Sequence, residues 1–168
     1  MQGLDTVIRN RMADFIWLPT ESDPNEFEWV LMGSGFLNLD ESPNAQTETR
    51  AYINDASATQ IVRGYEVEFP FTADMIANMR AVMALYNVGR NQLQGIDAEF
   101  DYCRVELFKP EISPGVFPAR RFRVAVDIAD TTGAGTEIME MSGALRGVGD
   151  FVDGSFDTDT NEFTAFAS

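Results

Sequence analysis

The sequence predicts a mainly β domain, a β-sandwich or partly closed barrel with one α-helix, over about residues 73–87, packed on its flank. Three observations carry this. Several segments alternate apolar and polar residues with a period of two, most cleanly at 121–129, where Phe122, Val124, Val126 and Ile128 fall to one side. One segment alone has helical spacing, with Met75, Ile76, Met79, Val82, Met83 and Tyr86 forming a single apolar stripe. Glycine, proline and Asx clusters cut the rest into stretches of strand length. With 168 residues, one domain spanning 1–168 can bury roughly 70% of its unfolded surface, so no staple is required. Cys103 is the sole cysteine, which excludes an internal disulfide, and its neighbours Phe100, Tyr102, Val105 and Leu107 mark it as a core thiol.

In chain order, residues 1–14 read as an N-terminal arm in which Leu4, Val7, Ile8 and Met12 allow a short helix. Residues 15–18 follow as a strand stopped by Pro19, and 20–25 as a Ser, Asp and Pro-rich turn. Residues 27–32 and 36–40 are the next strands, separated by a bend that Gly33 and Gly35 permit. Residues 48–60 are polar and aperiodic and lack the apolar content for a core, so 39–60 is expected to be a long reaching loop, mobile in the free chain. It feeds into an alternating strand over 61–71 with Phe69 and Phe71 on one face and Glu66 and Glu68 on the other.

Thr72 is the expected N-cap of the helix, Asp74 lies in its first turn and Gly89 supplies its left-handed stop. Beyond it, 99–108 is a strand, and Pro110, Pro114, Gly115 and Pro118 mark a loop. The strands 121–129 and 137–145 pair as a hairpin across Gly133 and Gly135, and 151–168 is a last hairpin turning at 157–161.

Composition narrows the chemistry. Asp and Glu number 27 against 12 Lys and Arg, a net charge of -15, so a nucleic-acid binder using several basic phosphate contacts is excluded. The one basic knot is Arg120, Arg121 and Arg123. No apolar run approaches the roughly 18 residues of a membrane span. The absence of histidine removes Ser-His-Asp and Cys-His catalysis and every imidazole zinc site. Residues 157–162 have oxygen ligands at alternate positions like a calcium loop, but Glu162 stands where glycine is needed, so they read as an Asx-rich turn. No cofactor, metal or catalytic residue is assigned. A carboxylate pair of the glycosidase kind depends on spacing in space, and 27 acids make candidates uninformative.

Several segments in order resemble the major tail tube proteins of siphophages and related prophages. Trp29-Val30-Leu31-Met32-Gly33-Ser34-Gly35-Phe36 is similar to their early strand. Tyr52-Ile53-Asn54-Asp55, then Gly64-Tyr65 and residues 69–74, resemble their loop, strand and helix entrance. Val116-Phe117-Pro118-Ala119, residues 143–150 and Gly154-Ser155-Phe156-Asp157 resemble the closing hairpins. The resemblance covers roughly residues 15–166 and rests on the order of these segments.

This resemblance implies a structural virion protein, made and assembled in the bacterial host cytoplasm. Copies would form hexameric rings stacked into a hollow tube that conducts phage DNA without binding it specifically. Its further partners would be tape measure, tail terminator and tail tip proteins. The 39–60 loop would reach the neighbouring ring through Thr49, Arg50, Tyr52, Ile53, Asn54 and Asp55. Asp40, Glu66, Glu68, Asp127 and Glu140 are candidates to face the lumen, and Arg120, Arg121 and Arg123 to form inter-subunit salt bridges. Two other readings stand: the inner tube of a contractile tail-like particle, and a monomeric acidic β-sandwich that binds a ligand through Trp17, Trp29 or Tyr52.

Overall fold

In the computed structural model, which describes residues 3–167, the chain builds one curled, half-barrel antiparallel sheet, a separate two-stranded hairpin and one α-helix. The sheet runs β2 (Phe27–Leu31), β1 (Met12–Pro19), β7 (Glu99–Glu106), β8 (Val116–Thr132), β9 (Glu140–Gly147), β6 (Glu68–Asp74) and β3 (Phe36–Leu39). Strand β8 is the spine. Along one edge it pairs with β7; along the other it pairs first with β10 (Val152–Asp157), over Val116 to Arg121, and then with β9 from Val124 onward. β11 (Glu162–Ala165) closes the C-terminal hairpin on β10. The expectation of a mainly β fold with one flanking helix is met.

The two faces of the sheet bury different sets. On the helix side Ile16, Phe69, Phe71, Tyr102, Val124, Met141 and Leu145 pack with Val82 and Leu85 of helix α1 (Arg80–Arg90). Each such side chain withdrawn from water contributes roughly 1.5–3 kcal/mol. On the opposite side, under β10 and β11, Phe15, Trp29, Cys103, Val105, Ala119 and Phe156 form a second cluster. Phe15 stacks on Phe156 with centroids 4.4 Å apart. Period-two strands explain this division: Tyr102 and Cys103 are neighbours in sequence and serve different cores.

Several boundaries differ from expectation. Residues 68–74 are a strand, so Thr72 is not an N-cap and the helix begins at Arg80 after Met79. Phe69, Phe71 and Ala73 are all buried, a period-two pattern that outweighs the apparent helical start. The helix buries Ala81, Val82, Leu85 and Val88, whereas Met75, Met79 and Tyr86 are only partly buried. Gly89 does not end the helix. A Cβ there would meet Ile128 side-chain atoms at 3.0 Å, so this glycine lets the helix lie close against β8. The left-handed residue after the helix is Gln92, with φ 51°.

Pro118 lies inside β8 and not in a loop, opposite Ser155 of β10. The N-terminal helix is absent: residues 3–8 have no regular structure, Arg9–Arg11 form a single 3-10 turn, and Leu4, Val7 and Ile8 are exposed. Met12 belongs instead to β1, paired with Glu106.

Candidate functional site: acidic sheet face and hairpin arm

The segment 39–60 is not an irregular loop. It contains β4 (Ala45–Arg50), which pairs with β5 (Thr59–Tyr65) as a protruding hairpin with a bulge at Gln46/Thr47. Threonines and β-branched residues at 47, 49, 59, 61 and 62 suit paired strands even where nothing is buried. The predicted continuous strand 61–71 is accordingly two strands, broken at Glu66 and Val67. The hairpin extends the β3–β6 pair. Ser42 and Glu68 exchange backbone hydrogen bonds at 2.8 and 2.9 Å, Glu66 N donates to Asn44 O at 3.1 Å, and Asn44 takes φ 50° at the neck.

Six residues of strand project the arm about 20 Å. Every residue from 51 to 63 is exposed, so it packs on no part of its own body. Its tip is a turn in which Asp55 N donates to Tyr52 O at 2.9 Å and Tyr52 N donates to Asp55 Oδ2 at 3.1 Å. The tip also carries the arm's most exposed apolar surface: Ile53 is 109% exposed and Tyr52 60%. Of the six loop candidates, Thr49 and Arg50 lie on β4, and Tyr52, Ile53, Asn54 and Asp55 form this turn.

The arm is also electrically neutral. Between Ala45 and Tyr65 the acids are Glu48 and Asp55 and the bases Arg50 and Arg63, so the net charge of -15 belongs to the rest of the chain. Glu48 bonds both arginines, 2.7 Å to Arg50 Nε and more closely to Arg63. Those two bonds, Arg63 first, hold its carboxyl below the usual range.

The second feature is a sheet face. Register places Glu68 beside Arg146, Pro70 beside Ala144, Thr72 beside Ser142 and Asp74 beside Glu140, on the face opposite Phe69, Phe71, Met141 and Leu145. The same face continues across β8 through Ala125, Asp127 and Asp130 and across β7 through Glu99 and Asp101. At the far edge Asp40 follows the inward Leu39 and hydrogen-bonds Asn38 at 3.3 Å. Asp40, Glu68, Asp127 and Glu140 thus share one surface of a continuous sheet, and Glu66 lies outside it, exposed at the arm's neck.

Two arginines temper this face. Arg146 bonds Glu68 at 2.8 Å and Asp127 at 3.0 Å. Arg123 lies 3.3 Å from Glu99 and 3.4 Å from Asp101. Asp40, Asp74, Asp130 and Glu140 have no ion pair among the described residues, so the face stays acidic.

The basic knot divides in space. Arg123 belongs to the acidic face. Arg120 bonds Glu41 at 2.5 Å, with its guanidinium 5.2 Å from the Phe122 centroid and 5.4 Å from that of Phe151. Arg121 lies over Phe163 at 5.2 Å. Arg120 and Arg123 therefore spend these contacts inside the subunit. Of the aromatic candidates, Trp29 is a core residue and Trp17 packs on it at 4.9 Å, leaving Tyr52 as the exposed one.

Sequence reasoning missed the polar cluster behind the arm. Asp14 and Arg104 are buried; Asp14 also bonds Arg9 at 2.5 Å and accepts a hydrogen bond from the Tyr102 hydroxyl. Arg9 and Arg104 both donate to Leu39 O, at 3.1 and 2.9 Å. A charged residue on each of two alternating strands is the only trace this leaves in sequence. Asp157 Oδ1 accepts from the amides of Asp159 at 2.9 Å and Thr160 at 3.3 Å, which is an Asx turn.

No protein-family model and no curated protein matches the sequence. Among solved structures, the chain is similar to the tail tube of phage SPP1, with a TM-score of 0.61 and 10% identity over 88% of this chain and 78% of that one. A baseplate chain of the anti-feeding prophage also aligns, at TM-score 0.48 and 9% identity, over 91% of this chain and 97% of the other. The SPP1 likeness is one of fold: this chain has a tail-tube-like β architecture.

Proposed function

We propose that this protein is a non-enzymatic tail tube subunit whose copies form hexameric rings stacked into a hollow conduit for phage DNA. The observation that carries the reading is the pairing of two surfaces on one tail-tube-like fold: a continuous acidic sheet face and a neutral, self-exposed hairpin arm with an apolar tip. In this reading the acidic face lines the bore. Carboxylates there repel phosphates at the wall, within a screening length of about 8 Å at physiological salt, and DNA passes without adhering.

The arm serves the contact between rings. A chain of net charge -15 repels its copies, and a neutral arm approaches the next subunit without adding to that repulsion. Burying Ile53 and Tyr52 there supplies attraction. Rings close by a heterologous head-to-tail contact, and stacking repeats a second, open-ended one. The edge strands β2, β3 and β11 are the segments such contacts would cover. Tape measure, terminator and tip proteins are the further partners, and the virion is the location.

The test is a reconstruction of the assembled tube. Asp40, Asp127 and Glu140 on the wall of the bore support the proposal. Helix α1 lining the bore, with the acidic face outward, overturns it.

A further inference from the structure

The arm meets the body at a neck where two arginines face the carboxylate of Glu41. Glu41 is the last residue before the Ser42–Glu68 bridge, and its carboxylate is bound by Arg120 Nη2 at 2.5 Å, with Arg104 Nη1 3.7 Å away. Arg120 is itself held, half-buried, against the rings of Phe122 and Phe151, which pack on each other with centroids 5.4 Å apart. Glu41, Pro43, Tyr65, Val67, Arg120 and Phe151 enclose a cleft of about 380 Å³ in the angle between arm and body. Across the neck the backbone ladder is thin, resting on the Ser42–Glu68 bridge and the Asn44–Glu66 bonds, with one further bond from Gly147 N to Val67 O at 2.9 Å tying the neck to β9, and Asn44 has a left-handed φ. Two strands joined by so few bonds, beside an open cleft, bend easily unless a side chain spans the angle.

We infer that Glu41 and Arg120 are positioning residues: Arg120, seated against the packed rings of Phe122 and Phe151, grips Glu41 and so fixes the direction in which the arm leaves the body. The brace is a planar guanidinium resting against two packed rings, a role lysine does not reproduce. The arm's direction is a property of the single subunit; its effect on polymerisation rests on the tube reading above.

The experiment places spin labels at Asn54→Cys on the arm tip and Asn87→Cys on the exposed side of helix α1, in the full chain, and measures the distance distribution by pulsed dipolar spectroscopy. Cys103 is buried and stays unlabelled. The unaltered brace gives one narrow distribution. Glu41→Gln and Phe151→Leu each broaden and shift it, with far-ultraviolet circular dichroism unchanged. Arg120→Lys, which keeps the charge and loses the planar contact with the rings, broadens it as well and provides the readout if Glu41→Gln fails to fold. A distribution that stays narrow and unmoved in the folded variants overturns the brace. Failure of the unaltered protein to polymerise, with the broadening still seen, overturns the tube reading and leaves the brace standing.

Discussion

Asp14 and Arg104, 2% and 4% exposed, are the two buried charged residues among those described, and Asp14 Oδ1 lies 3.2 Å from Arg104 Nε. The contact is an ion pair and not an aligned hydrogen bond, since Arg104 Nε has no hydrogen-bond partner and the Tyr102 hydroxyl bonds the same carboxylate oxygen. The pair links β1 to β7 beneath the edge carbonyl of Leu39, which Arg104 also bonds. Removing one member of a buried pair strands the other charge. Asp14→Asn and Arg104→Met should each cost about 3–5 kcal/mol in urea unfolding, and the double replacement less than the sum.

Gly143 makes a second claim on the core. An added Cβ would fall 2.1 Å from Asp127 O and 3.1 Å from Ile128 Cα, just where β8 carries its irregularity against β9. Those are backbone atoms that cannot swing aside. Gly143→Ala should lower stability by about 3 kcal/mol or more, read as a fall in the urea midpoint.

Stability should also fall in alkali. Burial foremost, and then the Asp14 charge, push the Tyr102 phenol and the Cys103 thiol well above their ordinary values. The folded state therefore keeps both protons while the unfolded chain begins to release them near pH 9 and 10, so stability present below that range is lost as pH rises through it. The slope is at most about 1.4 kcal/mol per pH unit for each group. Urea midpoints measured from pH 8 to pH 11 check this.

The arm tip separates folding from assembly. Ile53 touches nothing in its own subunit, so Ile53→Asp should change subunit stability by no more than about 0.5 kcal/mol. A charge buried between copies is costly, and the concentration needed for polymerisation should rise at least about tenfold, which corresponds to about 1.4 kcal/mol per contact. Light scattering against concentration, beside urea unfolding, gives both numbers.

Reversing the acidic face should change what the tube does to DNA. Asp40→Lys, Asp127→Lys and Glu140→Lys alter exposed side chains and should leave the fold intact. Tubes of the triple variant should retain double-stranded DNA at low salt and release it as salt rises, whereas unaltered tubes retain none. Equal retention by both would remove these residues from the bore.

Where a periodic pattern coincided with burial, the sequence was easy to read. Phe122, Val124 and Val126 point inward as their alternation implies, and the β10–β11 hairpin turns where the Asx residues cluster. The helix start was misread because Met75, Ile76 and Met79 have helical spacing with Val82, while Phe69, Phe71 and Ala73 already fix a strand through Asp74. The arm was illegible for the opposite reason: a hairpin that packs on nothing has no buried face to imprint a period on its sequence. The acidic face was legible only as a surplus of carboxylates, because bringing Asp40, Glu68, Asp127 and Glu140 onto one surface depends on the pairings of β3, β6, β8 and β9 across long stretches of chain.

The central claim, that copies of this chain build a conduit, is tested most directly by electron microscopy of the purified protein across concentration and salt. Rings and hollow tubes are expected for the unaltered chain, favoured by salt that screens the net charge, and their loss in Ile53→Asp. A monodisperse monomer over the whole range of concentration and salt would contradict it.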